Sequence, residues 1–140
     1  AALETALGQA DIVSTVTAAR APLIAAGLLR PGTHVSAMGA DGPGKQELAT
    51  AVVAGAALWA DSPQQSVAMG EFQHAAAAGL IETASIGAIG SLVEGQAPGR
   101  SGDEITIFDS SGIALQDLAI CAFALERARA AGLAPDIDFG

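Results

Sequence analysis

The chain has 140 residues, 51% of them hydrophobic and only 4% aromatic, with a formal net charge of −9; it is one ordinary domain or part of a larger one, with enough Ala, Val, Ile and Leu for a core. Six Lys and Arg against fifteen Asp and Glu exclude nucleic acid and anionic membrane surfaces as partners, since both demand clustered cations. The single cysteine, Cys121, excludes an internal disulfide and a cysteine-rich zinc site and fits a cytoplasmic location, and the sequence predicts neither a membrane span nor a signal peptide.

In chain order, the first element is a strand over residues 12–16. A second strand, over 33–38, is launched by the turn pair Pro31-Gly32. A glycine-rich turn follows, and then a helix over 46–53. Residues 57–60 predict a weaker strand. Residues 64–78 predict a helix that stops at Gly79, a helix-terminating residue type. A short helical stretch, 86–93, is weakened by Gly87 and Gly90. The longest loop covers 95–103, and a strand covers 105–108. The clearest helix is 114–131, with Leu115, Leu118, Ala122 and Leu125 on one stripe, Asp117 early, Arg127 and Arg129 late, and Gly132 at its end. Cys121 lies near that stripe and reads as core. The strands lack clean polar alternation, so all four are expected to be buried. Strands alternating with helices predict an α/β domain with a mainly parallel sheet.

In such sheets ligands bind beyond the carboxyl ends of the strands. Three strand ends there are followed by informative residues: Thr15-Val16-Thr17, then the 39–45 loop, then Asp109-Ser110-Ser111-Gly112. If those strands are neighbours, hydroxyls, a carboxylate and an ammonium converge on one crevice. The 39–45 loop has three glycines, which let backbone approach a ligand closely. It also holds Lys45, the only lysine, four residues after Asp41. Asp41 there is a candidate general acid or base; the plainer alternative is a turn with Asp41 as a cap and Lys45 in solvent. Gly39, Gly44 and Lys45 fit the phosphate-loop pattern G-x-x-x-x-G-K. Gln46 stands where that pattern needs the magnesium-holding hydroxyl, so nucleoside triphosphate hydrolysis is not expected. Glu71 and His74 are spaced to form a local hydrogen-bonded pair and are too few for a metal. His34 reads as a packed strand residue. Ser110 and Ser111 lack a hydrolase motif and a histidine base.

Three stretches, 11–17 (from Asp11 to Thr17), 38–48 (from Met38 to Leu48) and 105–117 (from Ile105 to Asp117), together with Gly70-Glu71 and Gly99-Arg100, resemble the ornithine cyclodeaminase and mu-crystallin family over nearly the whole chain. The resemblance implies a Rossmann-like parallel sheet with flanking helices that binds NAD or NADP. It further implies a second domain that completes the site for a small amino or imino acid and forms a homodimer. Residues 1–113 would be the carboxyl-terminal portion of the NAD(P)-binding domain, and 114–140 a helix and tail packing back toward the substrate and dimer domain.

The activity implied is that of an NAD(P)-dependent oxidoreductase interconverting an amino acid and its imine or 2-oxo acid, like alanine dehydrogenases and imine reductases. The alternatives are an ornithine cyclodeaminase-type ammonia lyase with internally recycled NAD, or a non-catalytic scaffold. Carried over onto matching residues, Thr15 contacts the cofactor, and Met38, Gly39, Ala40 and Asp41 line the nicotinamide region. Asp41 is the acid/base and Lys45 stabilises it and the cofactor side. Ser110 touches the cofactor and Ser111 borders the substrate. An Asp at position 41 sets the chain apart from mu-crystallin-like members, and residues 69–74 look nearest to iminosuccinate-reductase-like and ectoine-utilisation branches. The family's amino-terminal βαβ portion, with its phosphate turn, is expected ahead of residue 1 or on a partner chain, so the 140-residue chain alone is expected to be inactive.

Overall fold

A computed structural model describes residues 2–135 and 137. Its centre is a five-stranded, all-parallel sheet in the order β1-β3-β7-β5-β6, built from β1 (Ile12–Thr15), β3 (His34–Ala37), β7 (Thr106–Asp109), β5 (Ala57–Ala60) and the short β6 (Gly87–Ala88). The expected α/β architecture with a parallel sheet is what forms. Val35, Ala37, Leu58, Ala60 and Ile107 point into one core, joined by Val52 and Val53, Phe72 and Ala75 from the helices that cover that face. The opposite face carries His34, Ser36, Trp59 and Phe108, which are half-buried. Not all strands are buried as expected. β1 is an edge strand, and Ile12 and Val16 are exposed, because among the described residues no strand pairs with its outer side.

Residues 46–53 do not form one helix. Gln46–Leu48 is a strand, β4, which pairs in parallel with β2 (Arg20–Ile24) in a separate two-stranded sheet, and only Thr50–Ala54 is helical, α2. Tertiary partners decide this. Gln46 N–H reaches Ala19 O and Ala49 N–H reaches Ile24 O, each at 2.9 Å, while the intervening N–H groups go to a buried carboxylate described below.

The 64–78 helix is broken into α3 (Pro63–Met69) and α4 (Gln73–Ala77). Gly70 between them is extended, and a Cβ there would collide with the Asp109 carboxylate and the Ser66 backbone. Glu71 N–H donates to Asp109 Oδ2 at 3.0 Å, so a strand side chain enters where a continuous helix would run. Gly79 does end the segment in the left-handed region, φ +68°.

Residues 86–93 divide into β6 and a one-turn helix, α5 (Ile89–Val93). β6 lies against β5, and a Cβ on Gly87 would enter the Trp59 ring. Gly87→Ala is therefore expected to lower stability by about 1–3 kcal/mol through overpacking, read as a lower urea midpoint at unchanged m-value.

The 95–103 segment is a loop, as expected, fastened by Arg100 to Gly32 O and, at 3.0 Å, to Thr106 Oγ1. A first helix, α1 (Ala2–Leu7), and β2 were not legible in the sequence. The last helix, α6 (Ala114–Ala130), forms where expected, but Leu115, Leu118 and Leu125 are exposed, and so is Cys121, which is not core. Periodicity marks the face that favours burial; no described segment lies across it. No helix among the described residues is long and apolar enough to cross a membrane.

Candidate active site at the carboxyl edge of the sheet

β1, β3 and β7 are neighbours, so the three strand ends do converge. Thr15, Ala37 and Asp109 form one row across the sheet. Just past that row, Met38 N–H donates to Thr15 O at 2.8 Å and Ser110 N–H to Ala37 O at 3.1 Å. Thr15 is buried, yet its Oγ1 has no hydrogen-bond partner among the described residues. A buried hydroxyl without a partner is costly, and this one stands at the row of strand ends. Gly39 and Ala40 are buried and Met38 is exposed. A Cβ on Gly39 would meet the Thr17 backbone and the Glu47 carboxylate.

Asp41 and Lys45 form an ion pair on the outer part of the loop, with Asp41 mostly exposed and Lys45 mostly covered. Lys45 is thus paired rather than free in solvent. Its hydrogen bond, then its charge, hold the Asp41 carboxyl below the ordinary carboxylate range. The loop is pinned from α4. Gly44 N–H donates to Gln73 Oε1 at 2.8 Å, and Gln73 Nε2 donates to Gly42 O and Lys45 O at 3.3 Å. It leads into strand β4 rather than a helix, which removes the structural context of a phosphate loop.

Ser110 Oγ donates to Asp61 Oδ2 at 3.1 Å, and Gly112 N–H to the same oxygen at 2.9 Å. Ser111 Oγ accepts from Gln65 Nε2 at 3.0 Å. Both serines are held from β5 and α3, and neither bonds to the Asp41–Lys45 pair. A cleft of about 670 Å³ beside β5 is lined by none of these residues.

Three buried carboxylates lie behind the site. Glu47 accepts N–H groups from Thr17 at 2.7 Å and Gly39 at 3.0 Å. Glu71 accepts from Glu47 N at 2.9 and 3.0 Å and from Leu48 N at 2.6 Å. Asp109 Oδ2 accepts from Ser66 Oγ and Glu71 N, while its Oδ1 is buried without a partner among the described residues. Burial pushes Glu71 up to about 7 despite its N–H donors, and the Glu47 and Asp109 charges add to the rise. Burial likewise pushes Asp109 up to about 7, with Asp61 and Glu47 adding to it.

Sequence reasoning missed Glu47 and Asp109 as buried acids and paired Glu71 with the wrong residue. Glu71 does not bond His74, whose Nε2 is itself buried without a partner among the described residues. No local signal marked the buried acids: Glu47 and Glu71 each precede a large apolar residue, but so does Glu104, which is not buried. His34 sits at the amino end of β3, with Nδ1 2.8 Å from Thr106 Oγ1, away from the site. Burial, then the Arg100 charge, lower its pKa.

The chain is similar in sequence and in fold to known proteins. The iminosuccinate reductase of Paracoccus denitrificans is 43% identical over 130 residues, which are 93% of this chain and 41% of that protein. The crystal structure of that reductase in complex with NAD+ superimposes with a TM-score of 0.94 at 42% identity, covering 98% of this chain and 42% of that one. An archaeal alanine dehydrogenase dimer with bound NAD gives 0.90 at 38% identity, covering 99% of this chain and 43% of that one. The chain therefore spans about two fifths of the length of these relatives. The profile of the ornithine cyclodeaminase/mu-crystallin family matches residues 1–132, and the chain belongs to that family.

Proposed function

We propose that the chain is the carboxyl-terminal part of the NAD(P)-binding domain of an oxidoreductase that interconverts a small amino acid and its imine or 2-oxo acid. The observation that carries this is the shared row of strand ends. It sets the unpartnered Thr15 hydroxyl beside residues 38–41 and Ser110, with an ionised, accessible Asp41 on the same loop. Two similar structures bind NAD in the same fold. Residues 1–113 belong to the nucleotide domain. The helix from 114 and the tail to 140 face the substrate and dimer domain; residues 136 and 138–140 of that tail lie outside the described residues.

The residues present fit a dinucleotide. Thr15 Oγ1 supplies a hydrogen bond to it, the backbone at Met38, Gly39 and Ala40 borders the nicotinamide, and Ser110 touches the cofactor. When bound, the nicotinamide exchanges a hydride with the α-carbon of the substrate. Asp41 is held as the carboxylate by Lys45, so it takes the proton from the substrate nitrogen or from the attacking water and returns it in the reverse direction. Ser111 borders the substrate. The remaining part of the site comes from a longer polypeptide or a partner chain, and the complete enzyme is a homodimer.

The test is native mass spectrometry of the natural particle, then two assays: NADH with 2-oxo acids and ammonia, and separately NAD with ornithine and no added ammonia. Consumption of NADH supports the proposal. Ammonia release with no net change in NADH assigns a cyclodeaminase instead. A complete particle that turns over neither is a scaffold and overturns it. Thr15→Val separates binding from folding. It removes a hydroxyl with no protein partner, so thermal stability is expected to hold or rise, while NAD(H) affinity falls about tenfold, measured by titrating nicotinamide fluorescence.

A further inference from the structure

The Glu47 carboxylate sits at a junction between two chain exits. It is carried on β4, in the small second sheet, and it is fully buried. Its two oxygens are divided between two targets: Oε1 accepts Thr17 N–H and Oε2 accepts Gly39 N–H. Thr17 is two residues past β1, and Gly39 is two residues past β3. A single side chain therefore sets the separation of the two segments that border Thr15 on one side and the 39–45 loop on the other. Gly39 has no room for a Cβ because the Thr17 backbone and this carboxylate fill the space.

Glu47 is itself held in place. Its N–H and that of Leu48 go to the Glu71 carboxylate, and the Glu71 N–H goes to Asp109 Oδ2. Asp109 stands in the same row of the sheet as Thr15 and Ala37. The path runs from β7 through Asp109, Glu71 and Glu47 to the residues just beyond β1 and β3. Each acid anchors the backbone of the next, and the path closes on the sheet from which it started. A closed frame of hydrogen bonds fixes positions more tightly than a free loop can.

We propose that Glu47 is a positioning residue for the cofactor site, setting the spacing between residues 15–17 and 38–41. This rests on the NAD(P) assignment above. Glu47→Gln keeps the shape of the side chain but turns one of its two acceptors into a donor. That donor faces an N–H, so one of the two ties is lost.

Amide hydrogen exchange on the 140-residue chain tests the frame without cofactor. Protection at Thr17 or Gly39 is expected to fall about tenfold or more, while Val35 and Ile107 keep theirs. Steady-state kinetics of the complete enzyme test the positioning: KM for NADH rises about tenfold, whereas a residue that only supports the fold lowers the amount of active enzyme and leaves KM unchanged. Unchanged protection at both amides, or lost protection with an unchanged KM, overturns the proposal. Should Glu47→Gln not fold, Glu47→Asp, which keeps the charge and shortens the reach, is expected to give the same KM shift. If neither variant folds, Glu47 is a determinant of folding and the proposal fails. If the wild-type enzyme does not bind NADH, the cofactor assignment fails, and the exchange result still decides whether Glu47 ties the two segments.

Discussion

Asp41→Asn is expected to lower the turnover of the complete enzyme by about 10²- to 10⁴-fold, the usual contribution of a positioned acid/base, with NADH affinity nearly unchanged. Asparagine fills the same space and can still accept from the Lys45 ammonium, so the loop, pinned independently by Gln73, keeps its shape. What is lost is the ability to take a proton. Single-turnover kinetics at saturating NADH are the measurement, and a rate within threefold of wild type would remove Asp41 from the chemistry. The pH profile adds a sign. Lys45 holds the Asp41 carboxyl below its ordinary range, so the acid limb of activity lies at low pH. Lys45→Met removes that hold, and the limb is expected to move to higher pH, toward the ordinary carboxylate value of about 4.

Stability is expected to fall as pH rises from about 4 to about 7, the reverse of a protein stabilised by surface carboxylates. Glu71 and Asp109 both titrate near 7 in the folded chain and near 4 when unfolded. Between those values the folded state binds more protons than the unfolded state, so each rise in pH favours unfolding. Their contribution is fully present below about 4 and is lost as pH passes through about 7; above that the curve is flat. A drop of about 2–4 kcal/mol between pH 5 and pH 8 is expected. It is smaller than two independent groups would give, because the acids repel one another. Urea unfolding across that range measures it. Asp109→Asn is expected to reduce the slope by about half, since it removes one of the two titrations and still presents an oxygen to Ser66 and Glu71. A flat or rising stability from pH 5 to pH 8 would mean that neither acid is protonated in the folded chain.

Much of the site was legible in the sequence because its frame is made of strong strands. Residues 33–38 and 105–108 are short, largely apolar runs followed at once by Gly39 and by Asp109-Ser110, and such runs favour buried strands of a parallel sheet. Their ends then bring Gly39 and Ser110 to one edge of the sheet. The buried acids were not legible. A lone glutamate reads as surface, and nothing in Gln46-Glu47-Leu48 signals a strand. Those three residues are extended because Ala19 O and the Glu71 carboxylate take their N–H groups, and Ile24 O takes that of the next residue, Ala49. Gly70 breaks a helix for a comparable reason, since Asp109 arrives there to take the N–H of Glu71, 38 residues away from it. Cys121 and the leucines of α6 show the converse: helical periodicity locates a face correctly and says nothing of its neighbour.

The strand order has a consequence for synthesis. Among the described strands, the central one, β7, is the last in chain order, and it inserts between β3 and β5. On the ribosome, β3 and β5 wait with open edges until residue 109 has left the exit tunnel. Pairing across such long sequence separations is slow, and open edges invite association between nascent chains. A stop codon ahead of residue 106 would therefore leave two unjoined half-sheets, and its product would be a client for chaperones rather than a smaller version of the same fold.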